Sequence, residues 1–304
     1  MTAGGSVLVA SDLDGTLIYS RRRLDIGNES VQLCGVETLD GVTSSYMTQA
    51  AASGLSRLIG RYDFVPATAR TAEQYRRLRL PATSRYAVVA NGATILVQGL
   101  QDPGWARQVA LNLRHGLDLK AVLAHARNAC RSEWTTAIRV VEDAFCYACV
   151  IGHLVPQGWL AQQQAWAADR GWRTSLQGHK FYWVPAALTK SAAVAEIAAR
   201  CGSAHVIAAG DAVLDSDLLE FADLGVHPSH GELAAIGWSS ASVTRLAESG
   251  VRAGEAIVDW FAATAAALSD GDGDGDGALA AQPAAPRRPG QGASRERLPA
   301  QPQM

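Results

Sequence analysis

Residues 11–20 read SDLDGTLIYS and follow the apolar run Val7–Ala10. Such a run reads as a buried strand, and Asp12 and Asp14 stand two positions apart at its mouth. Ionised carboxylates are costly to bury, and like charges this close repel. Two acids placed there call for a cation, a shared proton or a chemical task. Gly15 follows, where a chain leaving a strand must turn tightly.

The surrounding chain narrows the task. Its 304 residues are 48% hydrophobic and 18% charged, enough for one large domain or two ordinary ones. A formal net charge of −2 supplies no basic excess for nucleic acid. No apolar run reaches the roughly 20 residues that cross a bilayer. The N-terminal stretch lacks the basic segment of a secretory leader. The expectation is a cytoplasmic protein that handles a small molecule, with neither nucleic acid nor membrane as partner. Five cysteines, Cys34, Cys130, Cys146, Cys149 and Cys201, are odd in number and scattered, against a disulfide framework. Cys146 and Cys149 have CxxC spacing but fall in a strand-like stretch, where residues three apart face opposite sides. No second CxxC or HxxxH completes a zinc site, so buried structural thiols are expected.

Apolar strands alternate with amphipathic helices through much of the chain, which predicts an α/β fold with a Rossmann-like parallel sheet. Strands are expected at 7–10, 63–68, 205–209 and 224–227, and helices at 49–61, 190–200, 214–222 and 253–268. Ala51, Leu55, Leu58 and Ile59 form the stripe of the first helix. Residues 87–97 read as strand, turn, strand, with Asn91-Gly92 as the turn signal. Residues 96–186 change character. They hold six of the eight tryptophans and an adjacent strand pair, IRVVED and FCYACVIG, flanked by helical stretches. The reading is a core from 1–95 and 187–268 with an α+β module inserted at 96–186. From Ser269 the composition falls to SDGDGDGDG and a Pro/Ala/Arg/Gln-rich run, which predicts a disordered tail over 269–304. Asp270, Asp272 and Asp274 imitate the start of a calcium loop, but its twelfth position holds Ala281 and no amphipathic helix follows.

Three further stretches share the geometry of the first. ATAR (67–70) sets Thr68 after a short apolar strand, Lys190 opens an amphipathic helix, and AAGDAVLD (208–215) sets Gly210, Asp211 and Asp215 after the strand VIAA. With DLDGTL (12–17), they resemble, in order, the four motifs of the haloacid-dehalogenase-like (HAD) phosphatases. The resemblance spans residues 6 to about 268. The chemistry is coherent residue by residue, since phosphoryl transfer needs a nucleophile, a proton donor for the leaving oxygen and cations around the equatorial oxygens. Asp12 can attack phosphorus, and Asp14 can protonate the leaving group and then activate water. Mg²⁺ suits carboxylate and carbonyl oxygens: Asp12 and Asp211 directly, the Asp14 backbone carbonyl, and Asp215 close by or through water. Thr68 would bond the phosphoryl oxygens, and Lys190 would offset the negative charge. A sugar phosphomutase uses the same intermediate, and a phospho-ligand sensor would bind without turnover; an intact Asp14 argues against the sensor.

The position of the inserted module refines the resemblance. Only 55 residues separate Asp12 from Thr68, whereas 121 separate Thr68 from Lys190. A large insertion in the second interval marks the subclass IIB, Cof-type members, whose C2 cap closes over the site and sets specificity. The substrate is then a small phosphorylated metabolite, with Gly15, Arg70 and Lys180 as candidate contacts. His179, beside Lys180 in GHKFYW (178–183), could join them. Most of the tryptophans are expected to pack a small core. Arg21–Arg23 lie just past the catalytic loop, where they could steer anions. HPSHGE (227–232) could bind a metal but reads better as a loop beside the site. SDLDGTLIYS, VPATART, NGATIL and GDAVLDSDLL are also similar to a narrower HAD-type group encoded in tellurite-resistance-type gene clusters, which would imply a nucleotide-like or phosphoribosyl substrate.

Overall fold

A computed structural model describes residues 6–26, 30–114 and 116–271. Its centre is the strand Val7–Ser11, buried at every position. It lies inside a five-stranded parallel sheet ordered Val243–Arg245, Leu224–His227, His205–Ala209, Val7–Ser11 and Asp63–Pro66. A parallel strand is covered on both faces, which is why these segments read as apolar runs without alternation. Val7 and Val9 face a layer with Leu55, Leu58, Ile257 and Phe261, from the helices Gln49–Ile59 and Gly250–Gly271. Leu8 and Ala10 face the other layer, with Val194, Ile197 and Leu218 from Lys190–Cys201 and Ser216–Phe221. The last helix runs three residues past the expected Leu268, and the remainder of the predicted tail lies outside the described residues.

Helix starts obey local chemistry. Thr48 accepts a hydrogen bond from the Ala51 N–H at 3.0 Å, and Thr71 forms a capping box with Gln74. Past the Asp63–Pro66 strand, a bridge between Ala67 and Val88 leads to the meander Tyr86–Val89, Thr94–Val97 and Leu100–Gln101. The turn expected at Asn91-Gly92 is there, as a four-residue connection between Val89 and Thr94. Gly92 has φ +99°, and a Cβ on it would lie 2.2 Å from the carbonyl oxygen of Thr189. That contact seats the start of the Lys190 helix.

Residues 19–48 contain a small antiparallel sheet of Tyr19–Ser20, Leu33–Leu39 and Val42–Thr48. Asp40 and Gly41, both at positive φ, close the hairpin between paired Leu39 and Val42. A second antiparallel sheet follows further along, ordered Trp172–Gln177, Lys180–Pro185, Phe145–Val150 and Thr135–Val141. Three helices accompany it, Pro103–Asn112, Leu119–Ala129 and Trp159–Ala168. Its tryptophans are structural, as expected: Trp105, Trp134, Trp159, Trp172 and Trp183 are buried. Trp159 meets Trp134 and Phe181 edge-on with ring centroids 4.8 Å apart in both pairs. Cys146 is fully buried opposite Trp183, Cys149 is half-buried, and all five cysteines are free thiols.

Candidate active site

The site lies at the carboxyl ends of the parallel strands, where chain connections depart to either side of Val7–Ser11 and ligands of such sheets bind. Asp12 leaves the first strand with its N–H bonded to the Ala209 carbonyl at 2.9 Å, which keeps it in line with the neighbouring strand. Gly15, at φ +94°, turns the chain, and a Cβ there would lie 2.6 Å from Asp211 Oδ2. No larger residue fits between the two acidic loops.

Lys190 joins three segments of the chain. Its Nζ lies 2.6 Å from Asp12 Oδ1 and 2.6 Å from Asp215 Oδ1, and the lysine is only 1% exposed. Asp215 Oδ2 accepts the N–H groups of Asp211 at 3.0 Å and Ala212 at 2.9 Å. Thr16, which sequence reasoning did not single out, has its hydroxyl 3.4 Å from Asp12 and 3.5 Å from Asp211. Burial pushes the Asp12 carboxyl up to about 7, against the lowering pull of Lys190. Burial and the charges of Asp12 and Asp215 push Asp211 well above the usual carboxylate range. The cluster thus carries more carboxylate than one ammonium can balance.

Asp12, Asp211 and Asp215 each offer an oxygen within 4.8 Å of the others. An all-oxygen donor set with excess negative charge fits a hard divalent cation such as Mg²⁺. Both oxygens of Asp215 are already engaged, so Asp12 and Asp211 are the better carboxylate donors. The Asp14 carboxylate points elsewhere, which leaves only its backbone carbonyl for the role the sequence suggested.

Asp14 is half-exposed and held by Arg70, with Nε 2.6 Å from Oδ2 and Nη2 2.8 Å from Oδ1. Arg70 also donates to Glu37 Oε2 at 2.9 Å, and Ser45 adds a hydroxyl to the same oxygen at 3.0 Å. Glu37 and Ser45 come from the two strands of the hairpin, and sequence reasoning missed both. Asp40-Gly41 was the available signal, since such a pair between strand-like residues marks a tight hairpin. Arg70 is therefore mainly tied to protein acids, while Thr68 is buried with its hydroxyl accepting the Arg70 N–H at 3.2 Å.

A cavity of about 150 Å³ opens over these groups, lined by Asp12, Asp14, Thr68 and Arg70 below and by Lys180 and Tyr182 from the antiparallel sheet. Lys180 is on an inner strand of that sheet, paired on both sides. Of the HPSHGE segment, expected as a loop, only residues 228–230 are one; His227 ends the strand Leu224–His227 and Gly231 opens the short helix Gly231–Ala235. The Gly250 N–H donates to His230 Nδ1 at 3.2 Å, which assigns the proton to Nε2, 2.8 Å from the Gly15 carbonyl oxygen. Glu232 accepts from Ser175 Oγ at 2.6 Å, Leu176 N–H at 3.1 Å and Val213 N–H at 3.0 Å, joining the core to the antiparallel sheet. His227 bonds its neighbouring Pro228 carbonyl, so these three side chains do not converge on a metal.

Compared by sequence, the chain matches no family profile and no curated protein. Compared by structure, it is similar to the sucrose-phosphatase of Synechocystis sp. PCC6803 solved with sucrose and phosphate. The TM-score is 0.58 at 14% identity, covering 85% of this chain and 98% of that one. A protein of Thermoplasma acidophilum aligns at TM-score 0.56 and 12% identity, over 85% and 99% of the two chains. A subclass IIB sugar phosphatase of the HAD superfamily aligns at 0.52 and 12%, over 84% and 99%. At such identities the likeness is one of fold. The chain has the fold of the HAD-type phosphatases, and its four acid, threonine and lysine motifs meet where that fold's strands end.

Proposed function

We propose that this chain is a Mg²⁺-dependent phosphomonoester hydrolase acting on a small phosphorylated metabolite. The observation that carries this reading is the convergence of Asp12, Lys190, Asp211 and Asp215 beneath a cavity that Asp14 and Thr68 also face. Asp14 takes up a proton from solvent, Asp12 Oδ attacks phosphorus, and the ester oxygen leaves with the Asp14 proton. Asp14 then removes a proton from water, which attacks the aspartyl-phosphate and frees Asp12 with release of phosphate. Lys190 favours the ionised form of Asp12 against burial, and Thr68 with the backbone amides after Asp12 bonds the phosphoryl oxygens. When bound by Asp12 and Asp211, Mg²⁺ supplies positive charge for the phosphoryl oxygens. Residues 96–186 serve as the cap, because their sheet presents Lys180 and Tyr182 to the cavity from the side opposite the acids. The cavity is smaller than the usual 300–1,000 Å³ of ligand sites, which favours compact substrates over nucleotides.

The test is phosphate release from p-nitrophenyl phosphate and a panel of small phosphomonoesters, with Mg²⁺ and with EDTA. Release is expected with Mg²⁺ and lost in Asp12→Asn. Turnover that survives Asp12→Asn, or none across the panel, overturns the reading.

A further inference from the structure

The two acids that line the cavity, Asp12 and Asp14, each contact a cation. Asp12 is paired with Lys190, and both Asp14 and Glu37 are paired with Arg70. Two further cations that line the cavity, Arg23 and Lys180, have no hydrogen-bonded carboxylate among the described residues, although the charge of Lys180 is felt at Asp14. Arg23 reaches across from the short turn Arg21–Arg23. Its Nη1 lies 2.8 Å from where a Cβ on Gly15 would sit, and its Nη2 lies 3.7 Å from the equivalent point on Gly178. The guanidinium therefore fills the gap between the catalytic loop and the turn joining Trp172–Gln177 to Lys180–Pro185. The carboxylate oxygen it approaches, Asp211 Oδ2, is 3.8 Å away, beyond hydrogen-bond distance. Lys180 projects from the same turn with Nζ 5.2 Å from the centroid of the Tyr147 ring.

The field at this turn is positive. His179, between Gly178 and Lys180, is held below its ordinary value first by burial and then by the charges of Lys180, Arg22 and Arg23. Cations that converge on a part-buried cavity repel one another until an anion joins them. A neutral hydroxyl would leave that repulsion in place. The transferred phosphoryl group does not answer the need, because it must lie against Asp12, Thr68 and Lys190.

We propose that Arg23 and Lys180 form a second anion site, so that the preferred substrate is a small phosphomonoester whose leaving group carries a carboxylate or a second phosphate. This rests on the hydrolase reading above. It adds a specificity-determining residue, Arg23, from outside the cap.

Matched substrates test it: 3-phosphoglycerate against glycerol 3-phosphate for the carboxylate, and fructose 1,6-bisphosphate against fructose 6-phosphate for the second phosphate. In the wild type, kcat/KM is expected to favour the anionic member of at least one pair by roughly 10- to 100-fold, the worth of one charge-assisted hydrogen bond. The favoured pair identifies the second group. The ratio should fall toward one in Arg23→Gln and in Lys180→Gln, and return in Lys180→Arg. Equal kcat/KM within both pairs, or a ratio unchanged in both Gln variants, overturns the anion site. If nothing is turned over, calorimetric binding of the same pairs to the Mg²⁺-loaded Asp12→Asn protein decides. Tighter binding of the anionic member, lost in the Gln variants, upholds the site while the hydrolase reading fails. Equal binding overturns the site.

Discussion

Arg70 holds Asp14 at two points, Nε to Oδ2 at 2.6 Å and Nη2 to Oδ1 at 2.8 Å. Burial raises the Asp14 carboxyl, but the Arg70 hydrogen bonds and charge outweigh it and hold the group below the usual carboxylate range. An acid kept ionised is ready to accept a proton from water but has none to donate, so the grip must loosen and Asp14 take up a solvent proton before the leaving group departs. Replacing Arg70 with Gln should move the Asp14 limb of the pH–rate profile to higher pH. It should also lower kcat/KM by about 100-fold, because Asp14 loses the two contacts that aim it at the cavity. A limb that stays in place would show that Asp14 is not the group being titrated.

Glu37 links the hairpin to the same arginine and leads to a stability prediction. Burial raises its carboxyl, and the charge of Arg70 then brings it below the ordinary 4.5. A depressed folded-state value stabilises the protein above the unfolded value, and that stabilisation is lost as pH falls through the folded one. Urea unfolding of Glu37→Gln at pH 7 should therefore show a loss of roughly 1–3 kcal/mol. The gap between variant and wild type should narrow below pH 4.5. A gap that is constant with pH would assign the loss to packing.

Gly92 is expected to be intolerant of any side chain. Its φ of +99° strains an L residue, and a Cβ would lie 2.2 Å from the Thr189 carbonyl oxygen. Thr189 caps the helix that Lys190 opens, its side chain accepting the Ala192 N–H at 3.2 Å. Gly92→Ala should displace Lys190 from Asp12 and reduce kcat at least 10-fold, since small misplacements cost that much or more. Circular dichroism should show the secondary structure retained. Full activity in Gly92→Ala would mean that the contact does not position the lysine.

Lys190 is the only ammonium contacting the buried pair Asp12 and Asp215 among the described residues. Removing one partner of a buried ion pair costs about 3–5 kcal/mol. Lys190→Met should lose stability on that scale in urea with EDTA present, and Mg²⁺ should restore part of it through the same carboxylates. A variant as stable as the wild type without metal would indicate that the acids take up protons instead.

Much of the fold was legible because its signals are local. The runs VLVAS, DFVP and HVIAA are apolar without alternation, as strands covered on both faces must be. The acids and the threonine follow those runs directly, so their place at the strand ends was readable too. Glu37 was not read, although Asp40-Gly41 marked its hairpin, because a hairpin signal does not say what its strands pack against. Arg70, expected at the substrate, lines the cavity, and its bonds to Asp14 and Glu37 come from chain segments that the sequence does not bring together. The inner position of the Lys180 strand depends on pairings with both Trp172–Gln177 and Phe145–Val150, which sequence proximity does not specify.

The amino-acid pattern alone gave the parallel core's strands and helices, the strand ends at which Asp12, Thr68 and Asp211 stand, and through them the chemistry proposed. Periodicity and turn residues report which face of an element is apolar and where it stops. Which charges meet depends on how the chain packs in three dimensions. Lys190 reaches Asp12 across 178 positions, Arg70 reaches Asp14 across 56, and Arg23 lies between Gly15 and Gly178. Those partners are set by strand order and by which loops share one end of the sheet. SDLDGTLIYS could therefore point to phosphoryl transfer, while the wall of cations facing it could only be seen in the fold.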